Sequence, residues 1–301
     1  MARDLTASVR QRLKNKADQE ARPFNQVLQH YGLERWLYRL SRSTYADQLI
    51  LKGAMLLLAE DLPLSRPTQD IDFLASLSND LEAVRAAVAS ISSTPVEDDG
   101  LTFEAGSTKT ERISEAARYE GVRATVRGQL GTARLTVKID LGFSDVVTPG
   151  PRELVCPTLL DFPAPRVLAY SLESAIAEKL ESMVSLGEIN TRMKDFFDVW
   201  ALAETHGFDE ARLRAAVQQT FSRRGTEPSA GEAFLAGEFP ERPAVSQEWT
   251  RFLARTGLGE HAPADFQAVW EAIGVFLMPI LEGGPEDRAW IPVHGWSARE
   301  A

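Results

Sequence analysis

Two aspartates separated by one residue are the part of this sequence that points most directly to chemistry. Asp70 and Asp72 lie in the segment 68–73, whose residue types predict a β-strand. Side chains alternate along a strand, so both carboxylates point to one face while Ile71 and Phe73 point to the other. Like charges side by side on a strand are unfavourable unless a cation lies between them. Magnesium meets that need with one or two carboxylates plus substrate phosphates, so the pair predicts a metal-dependent enzyme acting on a nucleotide.

A third carboxylate, Asp140, lies on the strand predicted over residues 133–143. In that segment apolar residues alternate with polar ones, and Asp140 shares the polar face with Thr136 and Lys138. If this strand pairs with the strand of Asp70, Asp140 could complete a metal site or accept the proton of an attacking hydroxyl. An exposed strand face carries polar residues in any case, so a role as an ordinary surface residue stays open.

A lysine and a glycine, Lys52 and Gly53, precede the acidic strand. Gly53 opens an apolar helix, where backbone N–H groups can approach a phosphate closely. Many glycines at helix starts are purely structural. The position of this one, just before the acidic strand, favours a role in nucleotide binding.

Charged residues further along the chain fall on two predicted helices. The first helix carries Glu178 and Lys179 among apolar residues, and the first turns of the second carry Arg192, Lys194, Asp195 and Asp198. An amphipathic helix held by salt bridges would explain this spacing. The alternative is that Lys179 and Arg192 or Lys194 bind nucleotide phosphates, while Asp195 or Asp198 orients a cation or a basic side chain.

The composition of the chain excludes several classes of protein. At 301 residues with 44% apolar and 25% charged residues, it is typical of a globular protein with a large core. A single cysteine, Cys156, excludes a disulfide framework, and the four scattered histidines do not have the spacing of a structural zinc site. The sequence shows no signal-peptide core and no stretch long enough to cross a membrane, so we expect a cytoplasmic protein.

The charge is unevenly distributed, although the net charge of −10 argues against a protein that coats nucleic acid. Residues 1–45 carry nine basic residues against four acidic, and residues 106–138 carry seven against three. The segment between them, 46–105, carries three basic residues against eleven acidic and contains Asp70 and Asp72. This pattern suits a metal-binding cleft with cationic walls for a polyanionic substrate, but solvated helix faces would explain it equally well.

The hydrophobic pattern predicts an α/β part up to about residue 165 and a mainly helical part after it. In the first part we predict helices over 5–42, 46–59 and about 80–89, the last capped by Ser78 or Asn79, and strands over 68–75, 102–106, 121–130 and 133–143. In the second part we predict helices over 171–186, 191–205, 209–222, 245–255 and 263–281, a loop over 226–243 and a loose tail containing Trp290 and Trp296.

In this order the pieces resemble the AbiEii/AbiGii-type nucleotidyltransferase toxins, the toxin halves of toxin–antitoxin and phage-defence systems. The resemblance covers residues 45–205 and rests on Lys52-Gly53, Arg66-x-Thr68-x-Asp70-Ile-Asp72-Phe, Lys138-Ile-Asp140, Glu178-Lys179 and Arg192-x-Lys194-Asp195-x-x-Asp198. Many nucleotidyltransferases share the Asp-Ile-Asp element, but its combination with the two downstream motifs is much more specific.

The resemblance implies an α+β fold, with a polymerase-β-like nucleotidyltransferase lobe of mixed sheet over 46–165 and a helical lobe over 166–301. A basic helical segment, 1–45, precedes them. Two magnesium ions would bind through Asp70 and Asp72, with Asp140 as a further ligand or as the base. Lys179 and Asp195 would belong to the catalytic centre. Nucleotide binding is assigned to Lys52, Gly53, Arg66, Thr68, Lys138, Arg192, Lys194 and Asp198.

Members of this family transfer nucleotides from a nucleoside triphosphate, often a pyrimidine one, to the acceptor end of tRNA, which blocks aminoacylation and translation. On this hypothesis, the basic segments 1–45 and 106–138 would contact the RNA backbone. A cognate antitoxin, of winged-helix type and in many cases without a stable complex, is the expected partner. Phosphorylation of Thr68 would repel the triphosphate and is one route by which an antitoxin could act.

Three other functions remain open from the sequence. An enzyme of the same fold could modify a small molecule or a protein hydroxyl. A catalytically inactive module could keep the fold and only bind RNA or a partner. A glycosyltransferase also uses an Asp-x-Asp motif, but no Rossmann-like alternation of strands and helices precedes the motif here.

Overall fold

The computed structural model describes residues 2–60, 62, 68–115, 119–284 and 287–298. Arg66, one of the predicted nucleotide-binding residues, lies outside the described residues. The chain divides into two compact units: unit 1 comprises Met1–Ala59, Pro67–Ser144 and Arg152–Ala169, and unit 2 comprises Glu60–Arg66, Asp145–Pro151 and Tyr170–Ala301. The basic segment 1–45 is part of unit 1.

Unit 1 contains a mixed sheet with helices packed on it. Its described helices are α1 (Ala2–Gln19), α2 (Phe24–Ser41), α3 (Gly53–Ala59) and α4 (Leu81–Ser92). Its described strands are β1 (Leu49–Lys52), β2 (Asp70–Ala75), β3 (Thr102–Glu115), β4 (Tyr119–Leu130), β5 (Ala133–Gly142), β6 (Arg152–Val155) and β7 (Arg166–Ala169). Within the described residues the strand order is β3-β4-β5-β2-β1-β7-β6. β2 runs parallel to β5 and antiparallel to β1, which places the acidic strand inside the sheet.

The alternation of residue types decides which face of this sheet is covered. Ile71 and Phe73 of β2 are fully buried, as are Val137 and Ile139 of β5. Helix α2 packs on β5, and α4 packs on β3 and β4. Burial of these β-branched and aromatic side chains supplies most of the free energy that holds strands and helices together. The opposite face carries the polar side chains.

Unit 2 is mainly helical, with a small antiparallel sheet. Its described helices are α5 (Leu172–Leu186), α6 (Met193–Thr205), α7 (Glu210–Arg224), α8 (Pro228–Leu235), α9 (Pro243–Thr256) and α10 (Phe266–Glu282). Its described strands, in the order β10-β9-β8, are β8 (Phe208–Asp209), β9 (Arg288–Ile291) and β10 (Gly295–Ala298). No helix in the described part of the chain has the length and apolar character needed to cross a membrane.

The predicted α+β class with a mixed sheet and a later helical part is confirmed. The strand over 133–143 and the helices beginning after Ser171 are also confirmed, and the Ser171 side chain caps α5 by accepting a hydrogen bond from Ser174 N. Four local predictions were wrong, two in unit 1 and two in unit 2. Residues 49–52 form β1 rather than part of a helix, because Leu49 and Leu51 bury in the sheet next to β2.

Two of the four errors lie in unit 2, and the last concerns the cap of α4 in unit 1. The predicted loop 226–243 contains α8, whose Leu235 is buried, and a 3-10 turn at Phe239–Glu241. The predicted loose tail forms the hairpin β9–β10, because Trp290 and Trp296 pack on Phe276 of α10. The N-terminal cap of α4 is Asp80, which accepts hydrogen bonds from Glu82 N and Ala83 N, rather than Ser78 or Asn79.

A cluster of buried charged side chains connects α2 to the loops that contain Asp99 and Leu159. Arg35 and Arg39 both donate to the Asp99 carboxylate, over 2.9 and 2.8 Å. Next to them Glu34 accepts a hydrogen bond from Leu159 N at Oε2, whereas its Oε1 has no hydrogen-bond partner among the described residues. Burial raises the pKa of Glu34 to about 7, against the lowering effect of the Leu159 N–H and of Arg35.

We expect the Glu34→Gln variant to change how stability depends on pH. A carboxyl with a raised pKa in the folded state contributes stability below its unfolded pKa of 4.5, and that contribution disappears as the pH rises through 7. The unfolding free energy of the variant minus that of the parent should therefore rise by roughly 2 to 3 kcal/mol between pH 5 and pH 8. Urea unfolding at both pH values measures it, and an unchanged difference would contradict the raised pKa.

Candidate active site

The three predicted metal-binding carboxylates lie on the same face of adjacent strands in unit 1. Asp72 of β2 is directly opposite Asp140 of β5, and Asp70 is directly opposite Lys138. Residues opposite each other in a sheet share a face, so the pairing on which the role of Asp140 depended is present. The sequence pattern had indicated the face, and the parallel register of β2 and β5 brings the side chains together.

The strand register extends this arrangement into a line of charges, which we call the charged row. In order across the sheet, the charged row consists of Lys52, Asp72, Asp140, Arg123 and Glu111. A second line on the same face consists of Asp70, Lys138, Thr125 and Lys109. Acidic and basic side chains thus interleave around the carboxylates, which lowers the repulsion between them.

Arg123 is the residue of the charged row whose role the sequence did not reveal. Its Nε donates to Asp140 Oδ1 over 2.8 Å, and its Nη2 donates to Asp140 Oδ2 over 2.7 Å. This two-point contact further raises the pKa of Arg123, and the charge of Asp70 acts in the same direction. Each oxygen of Asp140 therefore accepts one hydrogen bond from Arg123. The only sequence signal was the position of Arg123 among the seven basic residues of 106–138.

Gly53 is required by the geometry of Asp72. It begins α3 with a φ of +69°, in the left-handed region that favours glycine. A Cβ atom added to Gly53 would lie 2.1 Å from Asp72 Oδ2, far inside contact distance. Lys52, the preceding residue, is buried and lies opposite Asp72 in the register. The Lys-Gly pair thus abuts the acidic strand, as its position in the sequence indicated.

Thr68 orients Asp70. The Thr68 hydroxyl lies 3.0 Å from the backbone oxygen of Asp70 and 3.3 Å from its Oδ1, and donates to this residue. Only 9% of Thr68 is exposed. The side chain predicted to contact the nucleotide therefore contacts the carboxylate, and a kinase would need the segment to open before it could modify this hydroxyl.

The remaining predicted residues form a second cluster, in unit 2. Lys179 of α5 donates to Asp195 Oδ1 over 3.0 Å and to Asp198 Oδ2 over 2.6 Å. Arg192 Nε lies 2.8 Å from Asp195 Oδ2, an ion pair without hydrogen-bond geometry, since Oδ2 has no hydrogen-bond partner among the described residues. Lys194 adds positive charge near Asp195. Asp195 and Asp198 thus both contact a basic side chain, which is one of the alternatives that the sequence left open.

The charges of this second cluster stabilise each other. Burial alone would lower the pKa of Lys179, but the charges of Asp198 and Asp195 raise it above its ordinary value. Burial alone would raise the pKa of Asp195, but Lys179 and Arg192 lower it below its ordinary value. Lys179 and Asp195 are thus both charged at neutral pH. Buried ion pairs stabilise a fold less than apolar packing does, so such a cluster more often marks a functional site.

A half-buried arginine without a predicted role contacts the helix that carries Lys179 in unit 2. Arg224 at the end of α7 donates to Asp145 Oδ1 over 2.8 Å and to Glu181 Oε2 over 2.9 Å, and lies 3.6 Å from Glu178 Oε1. Tyr170 donates to the same Glu178 oxygen over 2.9 Å. These contacts fix the turn of α5 that carries Lys179.

Comparison with known proteins identifies the family. A family model described as the nucleotidyl transferase AbiEii toxin of type IV toxin–antitoxin systems matches residues 35–272. The chain belongs to the AbiEii family. The resemblance inferred from the motifs is thereby confirmed, and nucleotidyl transfer and a toxin–antitoxin context follow from family membership.

Solved structures were also compared with this AbiEii-family chain. Two of the similar ones are from Helicobacter pylori: a protein described as a candidate nucleotidyltransferase, and the protein JHP933. Each is 15% identical to this chain, with a TM-score of 0.49. They cover 85% and 84% of this chain, and 94% and 92% of their own. The comparison with curated proteins finds no match.

The Gly53→Ala variant should lose both stability and activity. Its methyl group cannot coexist with Asp72 Oδ2, so the carboxylate or the backbone must move. Gly225 provides a matched control, because it has the same φ of +69° and nothing within 4 Å of an added Cβ. Backbone strain of about 1 to 3 kcal/mol is common to both variants, so a larger loss in urea unfolding for Gly53→Ala reports the clash itself. Equal losses would contradict it.

The Lys179→Met variant should be strongly destabilised, because it leaves two buried carboxylates without their shared cation. We expect a loss of roughly 3 to 5 kcal/mol of unfolding free energy at pH 7. The double variant Lys179→Met with Asp198→Asn removes one charge of each sign and should recover part of that loss. Urea unfolding of the single and double variants measures the coupling, and additive losses would show that the contacts contribute little.

Proposed function

We propose that this AbiEii-family chain transfers a nucleotide from a nucleoside triphosphate to the acceptor end of tRNA and thereby blocks aminoacylation and translation. The observation that carries the proposal is the position of Asp70 and Asp72 on one face of an interior strand, with cationic side chains in the same rows of the sheet. Phosphoryl-type transfer depends mainly on positioning the reacting groups and on neutralising the charge of the triphosphate. Carboxylates for a metal ion and nearby cationic side chains on one face are suited to both tasks.

The residues present suit a magnesium ion held by few protein ligands. Asp70 and Asp72 are half-buried, and Thr68 restrains the carboxylate of Asp70. In the part of the chain that the structure describes, no three acidic, histidine or cysteine side chains come together as a ready-made metal site. Magnesium commonly takes one or two carboxylates and completes its shell with water and phosphate oxygens. When bound here, it would neutralise charge on the triphosphate.

The remaining site residues are given roles that the family resemblance implies. Lys179 uses two of its three N–H donors on Asp195 and Asp198, and we assign the third, together with the Arg192 guanidinium, to phosphate oxygens of the triphosphate. Lys138 lies opposite Asp70 on the polar face of unit 1 and is assigned to nucleotide binding. Lys52 and Gly53 both lie next to Asp72, and we assign this pair to shaping the site around it.

The acceptor is proposed from charge and exposure. Lys109, Arg127 and Arg134 are exposed on the polar face of the sheet in unit 1, at alternating positions of β3, β4 and β5. Helix α1 adds exposed Arg10 and Lys14. Cations distributed over a polar surface bind a nucleic acid backbone through its phosphates, which fits a tRNA acceptor.

The cognate antitoxin is the proposed second partner. Membership of a type IV toxin–antitoxin family implies an antitoxin, and we propose one of winged-helix type that silences the toxin without a stable complex. Co-expression followed by size-exclusion chromatography tests this, because a co-eluting pair would contradict it.

The decisive experiment is transfer of label from each of the four nucleoside triphosphates to tRNA, with an aminoglycoside and a protein mixture as other acceptors. We expect label at the tRNA 3′ end, loss of label with EDTA, and its return with magnesium. The Asp70→Asn variant should lose at least about 100-fold in rate with an unchanged circular dichroism spectrum. Undiminished labelling by Asp70→Asn would refute the metal site, whereas label on another acceptor would refute only the tRNA assignment.

A further inference from the structure

The contact between Arg123 and Asp140 gives these two residues roles different from those that the motifs suggest. We propose that Arg123 binds a phosphate of the substrate and that Asp140 is the positioning residue that holds it. The ligand is a phosphate group, and its presence in the reaction rests on the proposed nucleotidyl transfer.

The Asp140 carboxylate already holds the Arg123 guanidinium in a fixed orientation. Each of its oxygens accepts a hydrogen bond from Arg123, in the two-point geometry that arginine and carboxylate prefer. Only 16% of the Asp140 side chain is exposed. Each carboxylate oxygen has a second lone pair, but a cation bound there would lie next to the positive guanidinium and would be repelled by it.

The Arg123 guanidinium, in contrast, keeps donors available. It has five N–H groups, and the hydrogen bonds to Asp140 account for two of them. About a third of the side chain is exposed. The charge of Asp70 acts on Arg123, which places the guanidinium within electrostatic reach of the acidic pair where the reaction is proposed.

The chemistry of the free donors favours a phosphate. A guanidinium is planar and permanently charged, and once a carboxylate fixes its orientation the remaining N–H groups match two oxygens of one phosphate. Lys138 provides a second cation on the same face, and in the described part of the chain it forms no ion pair. A fixed cation beside Asp70 and Asp72 also offsets the repulsion that these carboxylates exert on an incoming polyanion.

Two sources could supply this phosphate: the triphosphate of the nucleotide or the backbone of the acceptor RNA. The experiment therefore has two binding arms. One measures the Kd of a non-hydrolysable nucleoside triphosphate with magnesium by calorimetry, and the other measures the Kd of tRNA by fluorescence anisotropy. A third readout separates kcat from KM for each substrate in the transfer reaction.

The variants are Arg123→Ala, Arg123→Lys, Asp140→Ala and the double variant Arg123→Ala with Asp140→Ala. Arg166→Ala is the matched control, because Arg166 makes an Arg–carboxylate pair with Glu153 between neighbouring strands of the same sheet, exposed and at 3.2 Å. Urea unfolding of each variant shows whether it still folds. The double variant leaves no unpaired Asp140, so a defect that persists in it is not caused by an orphaned buried charge.

We expect Arg123→Ala and Asp140→Ala each to raise the Kd of one of the two ligands, the triphosphate or the tRNA, by roughly 10- to 100-fold. This is the size expected for the loss of charge-assisted hydrogen bonds. The double variant should be no worse than Arg123→Ala, because Asp140 acts through Arg123. Arg123→Lys, which keeps the charge but not the two-point geometry, should be intermediate, and Arg166→Ala should be unchanged. Weakening in the triphosphate arm assigns the phosphate to the nucleotide, and weakening in the tRNA arm assigns it to the acceptor.

Two results would overturn the inference. In the first, Asp140→Ala abolishes transfer and shifts the magnesium dependence while Arg123→Ala does neither, which makes Asp140 a ligand or base and Arg123 its counter-ion. In the second, neither binding arm changes in any Arg123 variant. Failure of the proposed function is a separate outcome, since the parent protein would then label no tRNA while the triphosphate arm still tests Arg123 directly.

Discussion

Repulsion between carboxylates on adjacent strands is the constraint on which the arrangement of unit 1 depends. Asp70 and Asp72 share a face of β2, and the parallel register places Asp140 directly beside Asp72. Three negative charges within one patch of sheet persist only if positive charge surrounds them. The sheet supplies it through register: Lys52 flanks the patch on β1, Lys138 stands opposite Asp70, and Arg123 contacts Asp140 from β4.

Unit 2 meets the same constraint in a more buried setting. Asp195 and Asp198 are almost completely buried, and Lys179 donates to both. Their charges are mutually dependent, as the raised pKa of Lys179 and the lowered pKa of Asp195 indicate. Apolar side chains between α5 and α6 would stabilise the packing of the two helices more than buried ion pairs do. A buried charge cluster more often marks a functional site than a structural one, which supports the role proposed for these residues in nucleotidyl transfer.

Sequence periodicity predicted elements well where one face of an element is buried and the other is not. The strand 133–143 alternates strictly, and β5 occupies 133–142. Periodicity failed at β1, because a short apolar run next to an apolar helix carries no distinguishing period. It also failed at the C-terminal hairpin, which is held by aromatic contacts of Trp290 and Trp296 with distant Phe276 rather than by a local pattern.

The sequence by itself determined the family, the α+β class and the identity of the acidic and basic groups, because each is encoded in residue types at short spacing. Alternation along a strand was enough to put Asp70 and Asp72 on one face. Only the tertiary structure decided which groups meet. Asp72 and Asp140 are 68 positions apart and Arg123 lies between them in the chain, so strand register alone sets their contacts. Register depends on how the whole sheet buries its apolar face, and no local spacing specifies it.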